Sequence, residues 1–322
     1  MANLHSFSRR GLLLGGGVAM TTMALAACGE SKSASSSSTS SGASDAKVSL
    51  TFWGWAPGYK EAVELWNKKN PNTQVTWIAT EASRKIYPKM LTAVKANNAP
   101  DLAQVGYEAL PSFVIQDAVQ DIKEWAGDVD KNFTAAGAKS VNLGGAVYGI
   151  PVDTAPMAMI YNKALLDSLK IKAPKTWDEF ASAARAVKKA DPKASLTYFS
   201  SDRNFLAGLV RQAGGRWYDV TDSTVKVIMT QDAASRKVAD FWQKLINEGS
   251  IPVHEGYTPQ VYKQMNEDTL ISELYGIWDT ALIAQNVPKG KGKWAVAPLP
   301  EWPDRPGAVS YTHLTLPTIY SV

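Results

Sequence analysis

The side chains in this sequence best suited to chemistry are indoles, phenols and carboxylates placed just after strand-like segments. The chain of 322 residues holds 11 tryptophans, 12 tyrosines and 30 acidic groups. An indole offers a flat apolar face to the C–H face of a sugar ring, and a carboxylate accepts hydroxyl protons in charge-assisted hydrogen bonds. Ligands of open α/β sheets sit at the carboxyl ends of strands, so the loops that follow strands are where such groups matter. Trp53 and Trp55 flank Gly54 after a first strand. Tyr107 and Glu108 follow Gly106 after a third. Asp153 follows Pro151, Trp217 and Tyr218 follow the Gly214-Gly215 pair that ends a helix, and Trp278 closes a late strand. These are the candidate ligand-binding residues.

Each has a plainer reading beside it. Trp53 falls within its strand pattern and could pack in a core. Glu108 could serve a helix N-terminus, as could Glu81 after the second strand. Asp153 could hold a backbone amide, and Asp279 reads as a helix N-cap. Trp66, Trp77, Trp125, Trp177, Trp242 and Trp294 lie inside helix or strand patterns and are expected in cores; Trp302 is left unassigned.

Enzymatic patterns are poor. Of the three histidines, His5 and His313 lie near the chain ends and only His254 remains. No histidine pair has metal-ligand spacing, no nucleophile-elbow motif occurs, and no glycine-rich phosphate loop is found outside the leader's Gly15-Gly16-Gly17. No cofactor or metal is expected. Paired carboxylates of the kind that hydrolyse glycosides stay open, because any two acids can meet in space. The net charge of +4 and the lack of a basic run interleaved with aromatics give no sign of nucleic acid.

Strand and helix patterns alternate to position these groups. Val48 to Trp53, Thr73 to Ala79 and Asp101 to Val105 read as strands, separated by helical repeats at Tyr59 to Trp66 and Tyr87 to Val94. That β-α-β-α-β order implies a parallel sheet. A second block carries strands at Met157 to Tyr161, Leu196 to Phe199, Leu274 to Ile277 and Trp294 to Pro298. Its helices run from the capping box Thr176-Trp177-Asp178-Glu179, from Asn204 to Ala213, from Ala233 to Asn247 and from Ala281 to Val287. Gly149, Pro151 and the residues around them punctuate the join.

Ahead of both blocks stands a leader. Arg9 and Arg10 precede an apolar stretch of about 17 residues, short of the ~20 that a spanning helix needs. It ends in Leu25-Ala26-Ala27-Cys28, which resembles the lipobox of bacterial lipoproteins; a short membrane anchor is the alternative. Ser8 to Leu13 also resembles a twin-arginine export signal, with general secretion left open. The resemblance implies a leader over 1–27 and a diacylglycerol on Cys28. Residues 28–46, rich in serine, form a tether with too little apolar surface to fold.

In four stretches the chain is similar to the extracellular solute-binding proteins of carbohydrate ABC importers, the maltose-binding-protein-like group. They are Leu50 to Trp55, Ala99 to Leu102, Gly149 to Lys163 and Trp294 to Pro300. The resemblance implies a periplasmic-binding-protein-like α/β fold of two lobes, 47–151 and 152–308, with a hinge and a cleft that closes on a solute. It also implies a small-molecule sugar ligand, ABC permease subunits as partners, a lipid anchor to the outer face of the cell membrane, and a monomer with no nucleic acid bound. The family commonly places an aromatic near Trp217. A secreted glycoside hydrolase, or a binding protein for a polyamine or other solute, is the alternative. Residues 309–322 depart from the family and resemble the translation of a sequencing adapter, so a non-native tail and a missing C-terminal part are expected.

Overall fold

The computed structural model describes residues 47–81, 85–153, 156–220 and 224–308. The leader, the tether with Cys28 and the tail at 309–322 lie outside the described residues.

Chain order runs β1 (Val48–Gly54), α1 (Tyr59–Lys69), β2 (Thr73–Ala79), α2 (Tyr87–Lys95), β3 (Leu102–Ala103), α3 (Leu110–Ile115), α4 (Val129–Asn132), α5 (Ala135–Val141), β4 (Asn142–Leu143) and β5 (Ala146–Val147). It continues with β6 (Met157–Asn162), α6 (Lys163–Ser168), α7 (Trp177–Ala190), β7 (Phe199–Ser200), α8 (Arg203–Gln212), β8 (Tyr218–Val220) and β9 (Val225–Val227). Last come α9 (Ala233–Asn247), β10 (Val253–His254), α10 (Pro259–Asn266), β11 (Ser272–Gly276), α11 (Asp279–Asn286) and β12 (Trp294–Pro298).

The expected parallel sheet forms in the order β2-β1-β3. Val48 pairs with Thr73 and Gly54 with Ala79, so β1 and β2 end together. β3 is shorter than its sequence pattern. Its approach is held by Asp101, whose carboxylate accepts from the Thr51 amide at 2.8 Å and the Thr51 hydroxyl at 3.0 Å. These bonds hold the Asp101 carboxyl below its ordinary range. In the second block, β6 sits between β11 and β12 and runs antiparallel to both, while β7 and β10 pair in parallel beside them.

Apolar side chains sort by block. One large core draws only on residues from Met157 to Trp302, and two small ones only on residues from Trp53 to Tyr148. The capping box opens α7 as expected: Thr176 Oγ1 accepts from the Glu179 amide at 3.2 Å, and Glu179 Oε2 accepts from the Lys175 amide at 2.7 Å. That fixes Trp177 in the large core, 5.3 Å from Phe180, 5.8 Å from Trp242 and 5.6 Å from Trp302, centroid to centroid.

Trp177 and Trp242 are therefore core, and Trp302 joins them. Trp66 and Trp125 correct the expectation, at 48% and 75% exposed. Trp66 sits at the end of α1, a helix that buries no residue, and its indole N–H closes the turn into β2 by donating to the Thr73 carbonyl at 2.9 Å. Helical spacing reports a face, not what that face meets. Trp242→Ala should cost about 3–5 kcal/mol in chemical denaturation, as for large aromatics removed from cores. Trp125→Ala should stay within about 0.5 kcal/mol.

Candidate functional site

At the carboxyl ends of β1, β2 and β3 the side chains form one wall. Gln104, just past β3, accepts through Oε1 from the amides of Trp55 at 2.9 Å and Ala56 at 3.1 Å, which ties the loop after β1 to the neighbouring strand end. Trp53 and Trp55 both pack against the cluster of Ile86, Tyr87, Met90, Ala109 and Phe113. Trp55 meets the Tyr87 ring edge to face at 6.2 Å.

Tyr87 is the junction of this wall. Its hydroxyl accepts from the Gly106 amide at 2.9 Å and donates to Glu108 Oε1 at 3.2 Å. Glu108 Oε2 is buried and has no hydrogen-bond partner among the described residues. A Cβ on Gly106 would stand 2.2 Å from that oxygen, so the glycine makes room for the carboxylate. Glu108 does not serve the start of α3, whose first turn has no side-chain cap. Burial first, then the Glu108 charge, pushes the Tyr87 phenol well above its usual range, and the Arg203 guanidinium at the start of α8 pulls the other way.

Asp153, exposed where the blocks join, forms a second link. Its carbonyl accepts from the Tyr107 hydroxyl at 2.7 Å. Burial, and next the nearby Asp153 charge, raise the Tyr107 phenol and push Tyr59 up to about 12.

A second wall stands beyond the ends of β7, β10 and β11. Trp278 lies 5.5 Å from the Tyr257 ring and 6.4 Å from Tyr275, and those two tyrosines are 4.8 Å apart. The Tyr275 hydroxyl donates to Ser200 Oγ at the end of β7. Gly256 lets the wall close, since a Cβ there would stand 2.7 Å from that hydroxyl. Asp279 is not the N-cap that its position implies. Trp278 occupies the cap without a side-chain bond, and Asp279 is the first helical residue, fully buried.

The structure thus brings Trp53, Trp55 and Glu108 together on Tyr87, joins Tyr107 to Asp153, and sets Trp278 on two tyrosines. Trp217 and Tyr218 stand apart. Trp217 packs at the edge of the large core, and Tyr218 pairs with Val227 in the β8–β9 hairpin. Among the described residues neither makes a hydrogen bond or ring contact with another candidate. Sequence reasoning missed Tyr87, Gln104, Tyr257, Tyr275 and the buried acid Glu273, and read Asp279 as a helix cap. One signal was available: Glu273 is an acid that directly precedes the strand pattern Leu274 to Ile277. No group of three His, Cys, Asp or Glu side chains among the described residues is arranged to hold a metal ion. No described helix is long and apolar enough to cross a membrane.

Comparison with known proteins decides the family. Residues 54–319 match the profile of the Bacterial extracellular solute-binding protein family. The chain belongs to this family. Among curated proteins it is 26% identical to an arabinooligosaccharide-binding protein of Halalkalibacterium halodurans, over 79% of this chain and 59% of that one. It is 25% identical to a lactose-binding protein of Rhizobium radiobacter, over 78% of this chain and 61% of that one. The chain therefore spans about three fifths of the length of these relatives, which are binding proteins.

Among solved structures, one neighbour is an ABC-transporter-associated binding protein from B. animalis subsp. lactis in complex with β-1,6-galactobiose. It has a TM-score of 0.77 and 28% identity, over 83% of this chain and 66% of that one. Another is the galacto-N-biose/lacto-N-biose I-binding protein of Bifidobacterium longum in complex with lacto-N-biose. It has a TM-score of 0.74 and 29% identity, over 82% and 68%. The fold of this family member is accordingly the two-lobed α/β fold that the resemblance implied.

Tyr87→Phe keeps the ring but strands the Gly106 amide and removes the one donor to Glu108 among the described residues. It should cost about 1–3 kcal/mol of stability in urea denaturation, the range for buried polar groups left unpaired.

Proposed function

We propose that this protein captures a mono- or oligosaccharide outside the cytoplasm and delivers it to the permease of an ABC importer without altering it. The observation that carries this reading is the pair of aromatic walls, one in each block. Trp55 and Tyr87 stand with Glu108 on the first, and Tyr257, Tyr275 and Trp278 on the second. Rings stack on sugar faces, and the open oxygen of Glu108 accepts a hydroxyl that water would otherwise hold. Closure of two lobes about such walls excludes water from both sides of a polar solute. The bond from the Tyr107 hydroxyl to the Asp153 carbonyl supports a crossing between the blocks close to Asp153.

In this reading residues 47–151 and 152–308 are the lobes, and Trp53, Trp55, Tyr107, Glu108, Asp153, Trp217, Tyr218 and Trp278 are the ligand-binding set. Trp217 and Tyr218 are the most peripheral of them. A hydrolase would hold two carboxylates roughly 5–10 Å apart across a glycosidic bond. The neighbouring acids Glu273 and Asp279 are instead enclosed at 1% and 0% exposure, which leaves no room for a glycoside between them. Residues 1–27 are proposed as a cleaved leader and Cys28 as the acylated anchor of a monomeric lipoprotein. Two acyl chains hold a protein stably at a bilayer where one does not.

Two experiments test this. Tryptophan fluorescence titrated with arabino-oligosaccharides, lactose, β-1,6-galactobiose and lacto-N-biose should saturate with at least one sugar, recovered intact afterwards. Trp55→Ala or Trp217→Ala should weaken that binding by about 1–3 kcal/mol. Unchanged affinity in both variants would refute the site assignment, and cleaved sugar would refute the binding role. In the bacterial host, Cys28→Ala should move the protein from the membrane fraction to the soluble one.

A further inference from the structure

Behind the second wall lies a pair of acids that no role above accounts for. Glu273 is the second residue of β11, at 1% exposure, and Asp279 opens α11 at 0%. Trp278 directly precedes Asp279 in the chain, and the charges of both carboxyls act on Tyr257 of the aromatic wall. The Tyr198 hydroxyl donates to Glu273 Oε1. Glu273 Oε2 and both Asp279 oxygens find no donor among the described residues. Two carboxylates enclosed in this way repel each other and leave three acceptors unsatisfied, at a cost that folding could not bear. A single proton between them removes one charge and supplies the missing donor.

We propose that Glu273 and Asp279 hold one proton between them at neutral pH, and that this shared proton positions the wall of Tyr257, Tyr275 and Trp278. Asp279 is the anion of the pair, because it lies in the first turn of α11, where the helix dipole favours negative charge; Glu273 is the acid.

The surroundings contribute phenols and acids. Tyr198 precedes β7, Tyr257 precedes α10, Tyr262 lies on α10, Tyr275 lies on β11, and Asp202 acts on Tyr275 from the start of α8. His254 of β10 lies 5.8 Å from the Tyr198 ring, and its own burial favours its neutral form. Among the described residues, the groups acting on these two carboxyls are each other and the Tyr198 hydroxyl. Burial, and next the neighbouring Asp279 charge, keep Glu273 well above the carboxylate range, and burial pushes Asp279 up to about 6. Folded protein therefore retains protons that the unfolded chain has released. The stability that Asp279 lends is complete below 3.8 and is lost as pH climbs through about 6; the Glu273 share is lost higher still. Loss of the last proton sets two negative charges beneath Trp278 and displaces the first turn of α11.

The effect on solute affinity rests on reading this wall as ligand-facing, whereas the proton pair does not. Infrared difference spectra of the full chain at neutral pH should contain the carbonyl stretch of a protonated carboxyl, removed by Glu273→Gln. Near-ultraviolet circular dichroism should show wild type losing its wall signal as pH is raised from neutral. Glu273→Gln and Asp279→Asn, whose amides keep a hydrogen between the two groups, should retain it. A wild-type spectrum without the band, or one alkaline profile shared by wild type and both variants, overturns the proposal. If one variant fails to fold, the other and the wild-type band still decide. Affinity for β-1,6-galactobiose should fall about tenfold over that rise in pH in wild type and less than about twofold in the variants. Absence of sugar binding at every pH, with the band present and the profiles distinct, counts against the solute reading and leaves the proton pair standing.

Discussion

Polar atoms enclosed among aromatic rings must find partners, and both walls of this protein are organised by that requirement. At the first, Tyr87 supplies it. One hydroxyl takes the Gly106 amide and satisfies half of the Glu108 carboxylate, and the ring beneath supports Trp55. At the second, the hydroxyls of Tyr198 and Tyr275 reach Glu273 and Ser200. Phenols suit this work because a flat ring packs as core while its one polar tip both donates and accepts.

The two blocks meet the requirement with unequal reserves. The second packs its tryptophans and phenylalanines into one continuous core around Trp177 and Trp242, close enough to fix neighbouring rings edge to face. The first has two small clusters, a helix α1 with no buried residue, and exposed Leu65, Ile78 and Leu102. Stability in such a molecule is not uniform, and regions with few buried apolar contacts open first. The first wall rests on the weaker block, so its order depends more on the hydrogen bonds of Gln104 and Tyr87 than on packing.

That contrast bears on how a solute would be held. A wall that relies on a few directed bonds adapts to the guest, and a wall backed by a deep core keeps its shape. Asp153 sits at the passage between blocks, where its carbonyl holds Tyr107 and its charge reaches Tyr59.

Much of the architecture was legible from local pattern. The alternation of Val48 to Trp53, the capping box at Thr176 and the helical run from Ala233 to Asn247 each follow from interactions within a few residues, and each stands where expected. The placing of Trp55, Glu108 and Trp278 at strand ends followed from the same local logic. Tertiary structure alone decided what those side chains meet. It turned Trp66 and Trp125 outward, left Trp217 at a core edge, drew Tyr87 and Gln104 from separate elements onto one wall, and brought Glu273 against Asp279. The physical reason is range: caps, turns and periodicity act over one or two turns of chain, whereas burial and the pairing of polar atoms depend on segments that only folding brings together.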